Sequence, residues 1–141
     1  MRFKELLFGG SGTGSKWGDI ALLIARINYG VLMAWLHGRD KIRPSQKMID
    51  GVAAMKFPMP TVFAWLAALS ECAGAAFIVI GLFTRLSATF LTIVMGVAVC
   101  MVHWNDSLKA KELALLYLGA WILLMVIGAG RFSVDAFLRK K

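Results

Sequence analysis

Arg26 and Glu71 are the first residues to suggest chemistry, because each interrupts a long apolar run. An ionisable side chain inside such a run is costly to bury and by default marks a ligand, ion or proton site. His37 and His103 each close an apolar stretch, and Glu112 opens another. Imidazole titrates near neutrality and ligates metals, so two histidines and a carboxylate at one mouth could shuttle a proton or hold a metal. No HxxxH or ExxH spacing supports the second use, and no metal is assigned. Histidines that simply face water at a membrane interface are the plainer alternative.

The elements that must position these residues follow from composition. The chain is 59% hydrophobic and 17% charged over 141 residues, with a mean hydropathy of +0.70. An ordinary soluble domain is less apolar and more charged, and a disordered chain is far less apolar. The formal net charge is +8. In so apolar a chain that charge points to anionic lipid at a membrane surface rather than to nucleic acid.

A bilayer-crossing helix needs roughly 17 to 25 mostly apolar residues. Four stretches meet that length, at about 17–36, 60–83, 86–102 and 113–130. The second and third nearly touch. One helix through both would be about 64 Å long, roughly twice the hydrocarbon thickness, so the chain must turn at Gly81–Arg85. The prediction is an all-α integral membrane protein: one membrane domain, residues 1–141, built as a four-helix up-and-down bundle. Small residues such as Ala64, Ala68, Gly74, Ala88 and Gly96 suit close helix packing.

Between the first two spans, Pro44 can start a helix. Met48, Ile49, Val52 and Met55 then form an apolar stripe. This predicts a short amphipathic helix at the interface, covering one mouth of the bundle. Residues 1–16 read as a flexible N-terminal segment. Its first eight residues either lie on the membrane surface or fray, and no cleavable signal peptide is expected. Gly9 and Gly14 have phosphate-loop spacing, but Ser15-Lys16 stands in the wrong order and no strand precedes it, so nucleotide binding is rejected. Cys72 and Cys100 are expected to be two buried thiols, offset by about 6 Å along the bundle and not bridged.

Asp19, Arg26, Met33 and His37 are spaced by seven, seven and four residues, which places them on one face of the first helix. Arg26 lies about 12 Å from the terminal side and Glu71 about 18 Å, a gap that an arginine spans. An ion pair between them is predicted, because either charge alone would be uncompensated. Asp19, Arg85, Arg131 and Asp135 stand at matching helix ends and are expected to form a structural polar network. Trp104, Trp121, Lys109 and Lys111 read as interface anchors. Lys and Arg are almost evenly divided between the two sides, and both termini are placed in the cytoplasm on the small excess.

The ordered set of these segments resembles the DoxX family of small bacterial membrane proteins. The matching pieces are Gly18-Asp19 with Leu22-Leu23 and Arg26, then His37-Gly38 and Lys41, Phe57-Pro58 and Pro60, and Glu71. Gly81-Leu82 with Thr84-Arg85, His103, Glu112-Leu113, and Gly128 to Arg131 with Ser133 and Asp135 complete the set. The resemblance implies a four-helix protein of the bacterial inner membrane. Some relatives are subunits of quinone-linked oxidoreductases, thiosulfate:quinone oxidoreductase among them. Others are linked to redox-stress complexes, and many have no assigned activity.

Two readings of function follow. In one, the chain is an accessory or quinone-interacting subunit of a membrane redox system, with Arg26, Glu71 and His37, and with them His103 and Glu112, as ligand-binding or proton-exchange candidates. The sequence carries no haem, flavin or iron–sulfur signature, so electrons would come from a redox partner protein. In the other, it is a membrane scaffold or a lipid- or solute-binding protein whose buried ion pair only fixes the packing. The oligomeric state is left open, a homo-oligomer included.

Overall fold

The structure, a computed structural model, describes residues 12–139. The basic segment 1–8 and the start of the glycine linker lie outside the described residues. Four helices are long and apolar enough to cross a bilayer: α1 (Lys16–Lys41), α3 (Pro60–Ile80), α4 (Thr84–Val102) and α5 (Leu108–Ile127). The short helix α2 (Gln46–Ala54) stands between α1 and α3, and α6 (Val134–Arg139) follows α5.

Helix α2 begins where the Ser45 hydroxyl accepts from the Met48 amide at 3.3 Å, an N-cap that satisfies one free backbone donor. Its predicted stripe holds, with Val52 buried and Met48, Ile49 and Met55 half-buried. The hairpin between α3 and α4 falls at the expected place. Gly81 has φ 71° and Phe83 φ 48°, and the Leu82 amide reaches back to the Phe77 carbonyl at 2.9 Å. That bond ends α3 in a Schellman-type turn, where glycine adopts the left-handed backbone without strain.

Helix α1 departs from expectation by running on past Leu36. A π turn spans Met33–Gly38, and a 3₁₀ turn spans Arg39–Lys41. At 1.5 Å per residue its 26 residues extend about 39 Å, so the last turn carries its charges beyond the hydrocarbon. His37 therefore lies within the helix, not at its end.

Two glycines of α1 set the register against α3. A methyl group at Gly30 would meet the Ala75 carbonyl oxygen at 3.0 Å. One at Gly38 would meet the Glu71 carbonyl oxygen at 2.7 Å and the Cys72 Cα at 2.8 Å. The backbones touch there, in the manner of small-residue membrane contacts. Inside, Met33, Ile78, Leu91, Tyr117, Trp121 and Leu124 form the core. Outside, large apolar side chains such as Ile24, Trp35, Ile93 and Val126 are exposed, as suits surfaces that meet lipid.

Two expectations are corrected. Trp121 is 0% exposed; it is a core residue, not an interface anchor, because it stacks on Tyr117 with centroids 5.8 Å apart. The cysteines are free thiols, but Cys72 is only half-buried and Cys100 is exposed. Cys100 points away from the core and towards the surface that meets lipid. Trp104 and Lys111 behave as predicted for anchors: both are at the helix ends, and the Lys111 ammonium lies 5.9 Å from the Trp104 ring centroid.

The register argument yields a paired test. Gly38→Ala forces two backbones apart and is expected to lower stability by about 2 kcal/mol or more. Gly96→Ala, at a site with nothing within 4 Å of the new methyl, is expected to be neutral or to stabilise by about 0.5 kcal/mol. Thermal unfolding of both variants in one detergent checks the contrast.

Candidate functional site

The polar residues divide into two groups at opposite ends of the bundle. At the end nearer the termini, Arg26 is 0% exposed. Its Nη1 donates to the Ile78 carbonyl at 3.4 Å, and its Nη2 donates to the Phe132 carbonyl. The guanidinium occupies the space where a side chain at Gly81 would stand, so Gly81 is needed for room as well as for its backbone angle. The Ile78 carbonyl belongs to the last turn of α3, where the helix dipole favours a cation.

Asp135 complements it. Its amide donates to the Gly81 carbonyl at 2.8 Å. Its two carboxylate oxygens accept from the Phe83 and Thr84 amides at 2.8 and 2.9 Å. A carboxylate thus caps the N-terminus of α4, where the dipole favours an anion. Asp135 also interacts electrostatically with Arg26. Asp19 accepts from the Thr13 amide at 2.9 Å. The Arg85 guanidinium donates to the Val126 carbonyl at 2.9 Å, and Arg131 is exposed. Asp19, Asp135 and Arg85 hold backbone at helix ends, and among the described residues no ion pair joins the four to one another.

Glu71 lies elsewhere, and the predicted pair with Arg26 does not form. Glu71 is 3% exposed, and its Oε2 accepts from the Lys41 ammonium at 2.6 Å. The reason is the register. Gly38 sits against the backbone of Glu71, and Arg26 is twelve residues earlier on α1, about 18 Å along the axis. The start of α1 is not level with the α3–α4 turn, as equal depths from the ends of the apolar runs would require. Instead the Arg26 guanidinium is level with that turn.

The Lys41–Glu71 pair lines a cavity of about 1010 Å³. His37, Asp40, His103 and Tyr117 join it in the wall. The rest of the wall is mostly apolar, including Phe63, Leu66, Phe90 and Met101, with Met48 and Val52 of α2 and Met55 just after it. His103 is held at the rim by Asp106, with Nδ1 and Oδ2 2.7 Å apart. His37 meets the Tyr117 ring edge-on, with centroids 5.7 Å apart. Tyr117 is 4% exposed and also meets the Tyr29 ring edge-on, with centroids 6.0 Å apart.

Of the residues predicted from sequence, the fold therefore brings His37, Glu71 and His103 together. Arg26 is outside this cavity, and Glu112 is exposed and absent from its wall. No group of three or more metal-ligating side chains gathers among the described residues. Lys41 and Tyr117 were missed as site residues. Lys41 follows His37 by four residues, and Tyr117 is a lone phenol inside an uninterrupted apolar run; both signals were available. Three π turns, Met33–Gly38, Ser70–Gly74 and Ala98–Val102, each border this chamber and have no sequence signature. Such turns often mark functional sites in helices, because the extra residue re-aims the side chains around it.

The division of roles predicts that Asp135→Asn, which removes the charge at the α4 terminus, lowers stability by about 1 kcal/mol. Glu112→Gln, on an exposed side chain, is expected to leave it unchanged. Thermal unfolding of the two variants checks this.

The chain was compared with known proteins. The DoxX family profile matches residues 21–104, a stretch that holds His37, Lys41, Glu71 and His103. The chain is 32% identical over 129 residues to the inner membrane protein YphA of Escherichia coli (strain K12), covering 82% of this chain and 89% of that protein. No solved structure matches. With four bilayer-length apolar helices, the chain is a multi-pass inner membrane protein, and it belongs to the DoxX family.

Proposed function

We propose that the chamber binds the head of a quinone, and that the protein is a quinone-interacting subunit of a membrane redox system. The observation that carries this is the makeup of the chamber. A carboxylate–ammonium pair with its carboxylate buried, an imidazole and a phenol stand in the wall of a mostly apolar space. The volume, about 1010 Å³, is at the upper end of small-molecule sites, roughly 300–1,000 Å³.

The residues fit such a head chemically. Quinone carbonyl oxygens accept hydrogen bonds, and the Lys41 ammonium and Tyr117 hydroxyl are donors. Quinol hydroxyls donate, and Glu71 and His37 are acceptors with a proton-exchange role. When bound, a quinone supplies a two-electron, two-proton couple. In this reading the electrons come from a redox partner protein, and Glu71 and His37 exchange the protons. In this reading Arg26 fastens the opposite end of the bundle rather than the ligand.

The test is binding of decylubiquinone, or of a menaquinone analogue, to purified protein in nanodiscs. Wild type is expected to bind, with Glu71→Gln and Tyr117→Phe each weakening affinity about tenfold or more. Arg26→Lys is expected to bind as wild type does. Absence of binding, or affinity indifferent to both chamber substitutions, overturns the proposal.

A further inference from the structure

The chamber has a wall that is also the outside of the protein. Helices α3 and α4 pack together most closely beside their shared turn, and along Pro60–Leu69 α3 packs mainly against α2 and only lightly against α4. The two spans therefore diverge away from the turn. Leu66 of α3 and Phe90, Ile93 and Met101 of α4 line the chamber, and the same four side chains are exposed on the bundle surface. All four lie in helices of membrane-crossing length, so that surface meets hydrocarbon, not water.

We infer that this cleft between α3 and α4 is a lateral portal, through which an amphiphile enters from the bilayer and in which its apolar chain stays while its polar head reaches Glu71. The inference rests on the chamber being a ligand site. It does not depend on the head being a quinone. Three features support a chain-bearing occupant rather than a small polar solute. The portal side chains are wholly apolar. The wall also carries polar groups for a head, Glu71 with its Lys41 partner, His37 and Tyr117. Met48 and Val52 of α2, with Met55 just after it, extend the apolar wall. An amphiphile already dissolved in the membrane keeps its chain in an apolar medium throughout, so lateral entry carries no cost of exposing the chain to water.

The portal is tested without reference to any ligand by a nitroxide on Val94→Cys, a half-buried chamber-wall position, in a Cys72→Ser, Cys100→Ser background. The protein is reconstituted in phosphatidylcholine vesicles. Collisions with oxygen, which concentrates in hydrocarbon, are expected to exceed those with a water-soluble nickel chelate. Adding Leu66→Trp and Ile93→Trp to fill the cleft is expected to cut the oxygen collisions several-fold. Access dominated by the nickel chelate, or oxygen access indifferent to the filled cleft, overturns the portal.

A second measurement separates this inference from the quinone reading. The filled variant is expected to bind decylubiquinone about tenfold more weakly than wild type, and to bind the tail-less dimethoxy-methyl-benzoquinone unchanged. Oxygen access without binding of either quinone leaves the portal standing and removes the quinone. Quinone binding with unaltered tail preference in the filled variant does the reverse. If the tryptophans unfold the protein, Leu66→Phe with Ile93→Phe gives the same comparison at smaller amplitude.

Discussion

A carboxylate buried in an apolar bundle must be given a cation, and the arrangement of the chamber end follows from that requirement. An unpaired charge in such a place costs several kcal/mol. Glu71 meets the requirement through Lys41, 2.6 Å away. Lys41 is available only because α1 runs on through a π turn and a 3₁₀ turn after Met33. It arrives at the right height only because Gly38 lets α1 touch the backbone beside Glu71. Removing the glycine contact shifts the lysine, and removing the lysine strands the carboxylate. The chamber lies directly beyond that pair, so its polar end is a consequence of the same contact.

The opposite end solves a different problem with the same physics. There the chain turns sharply between α3 and α4, and both helix ends leave backbone groups unpaired. Arg26 takes the carbonyl side and Asp135 the amide side. Each charge sits at the helix end whose dipole favours it. The protein thus has a charged lock at one end and a charged pair at the other. Both are joined by α1, which contributes Arg26 to the first and Lys41 to the second. A bundle fastened at the turn is free to diverge away from it, and the divergence of α3 from α4 opens the chamber wall.

Much of this was legible in the sequence. The four spans follow from the uninterrupted apolar runs, the hairpin from Gly81 between two runs too long to be one helix, and α2 from the Met48–Met55 stripe. The buried face of α1 was also legible, since Asp19, Arg26 and Met33 keep helical spacing and all three are buried. What failed was relative height. Arg26 and Glu71 were matched by counting from the ends of apolar runs, but helices in contact are aligned by where their backbones approach, here at Gly30 and Gly38. Lys41 read as one cation among several in a polar connection, because the turns that keep it helical leave no pattern. Trp121 has the composition of an interface residue, and only its stack on Tyr117 shows otherwise.

The pairing of Lys41 with Glu71 is the claim on which the account rests, and a double-mutant cycle tests it most directly. Stability would be measured for Lys41→Met, Glu71→Gln and the double variant, with Arg26→Met in place of Lys41→Met as the comparison cycle. The account predicts a coupling of about 1–3 kcal/mol between Lys41 and Glu71, and additivity within about 0.5 kcal/mol between Arg26 and Glu71. Coupling of Glu71 to Arg26 instead, with Lys41 additive, would contradict it.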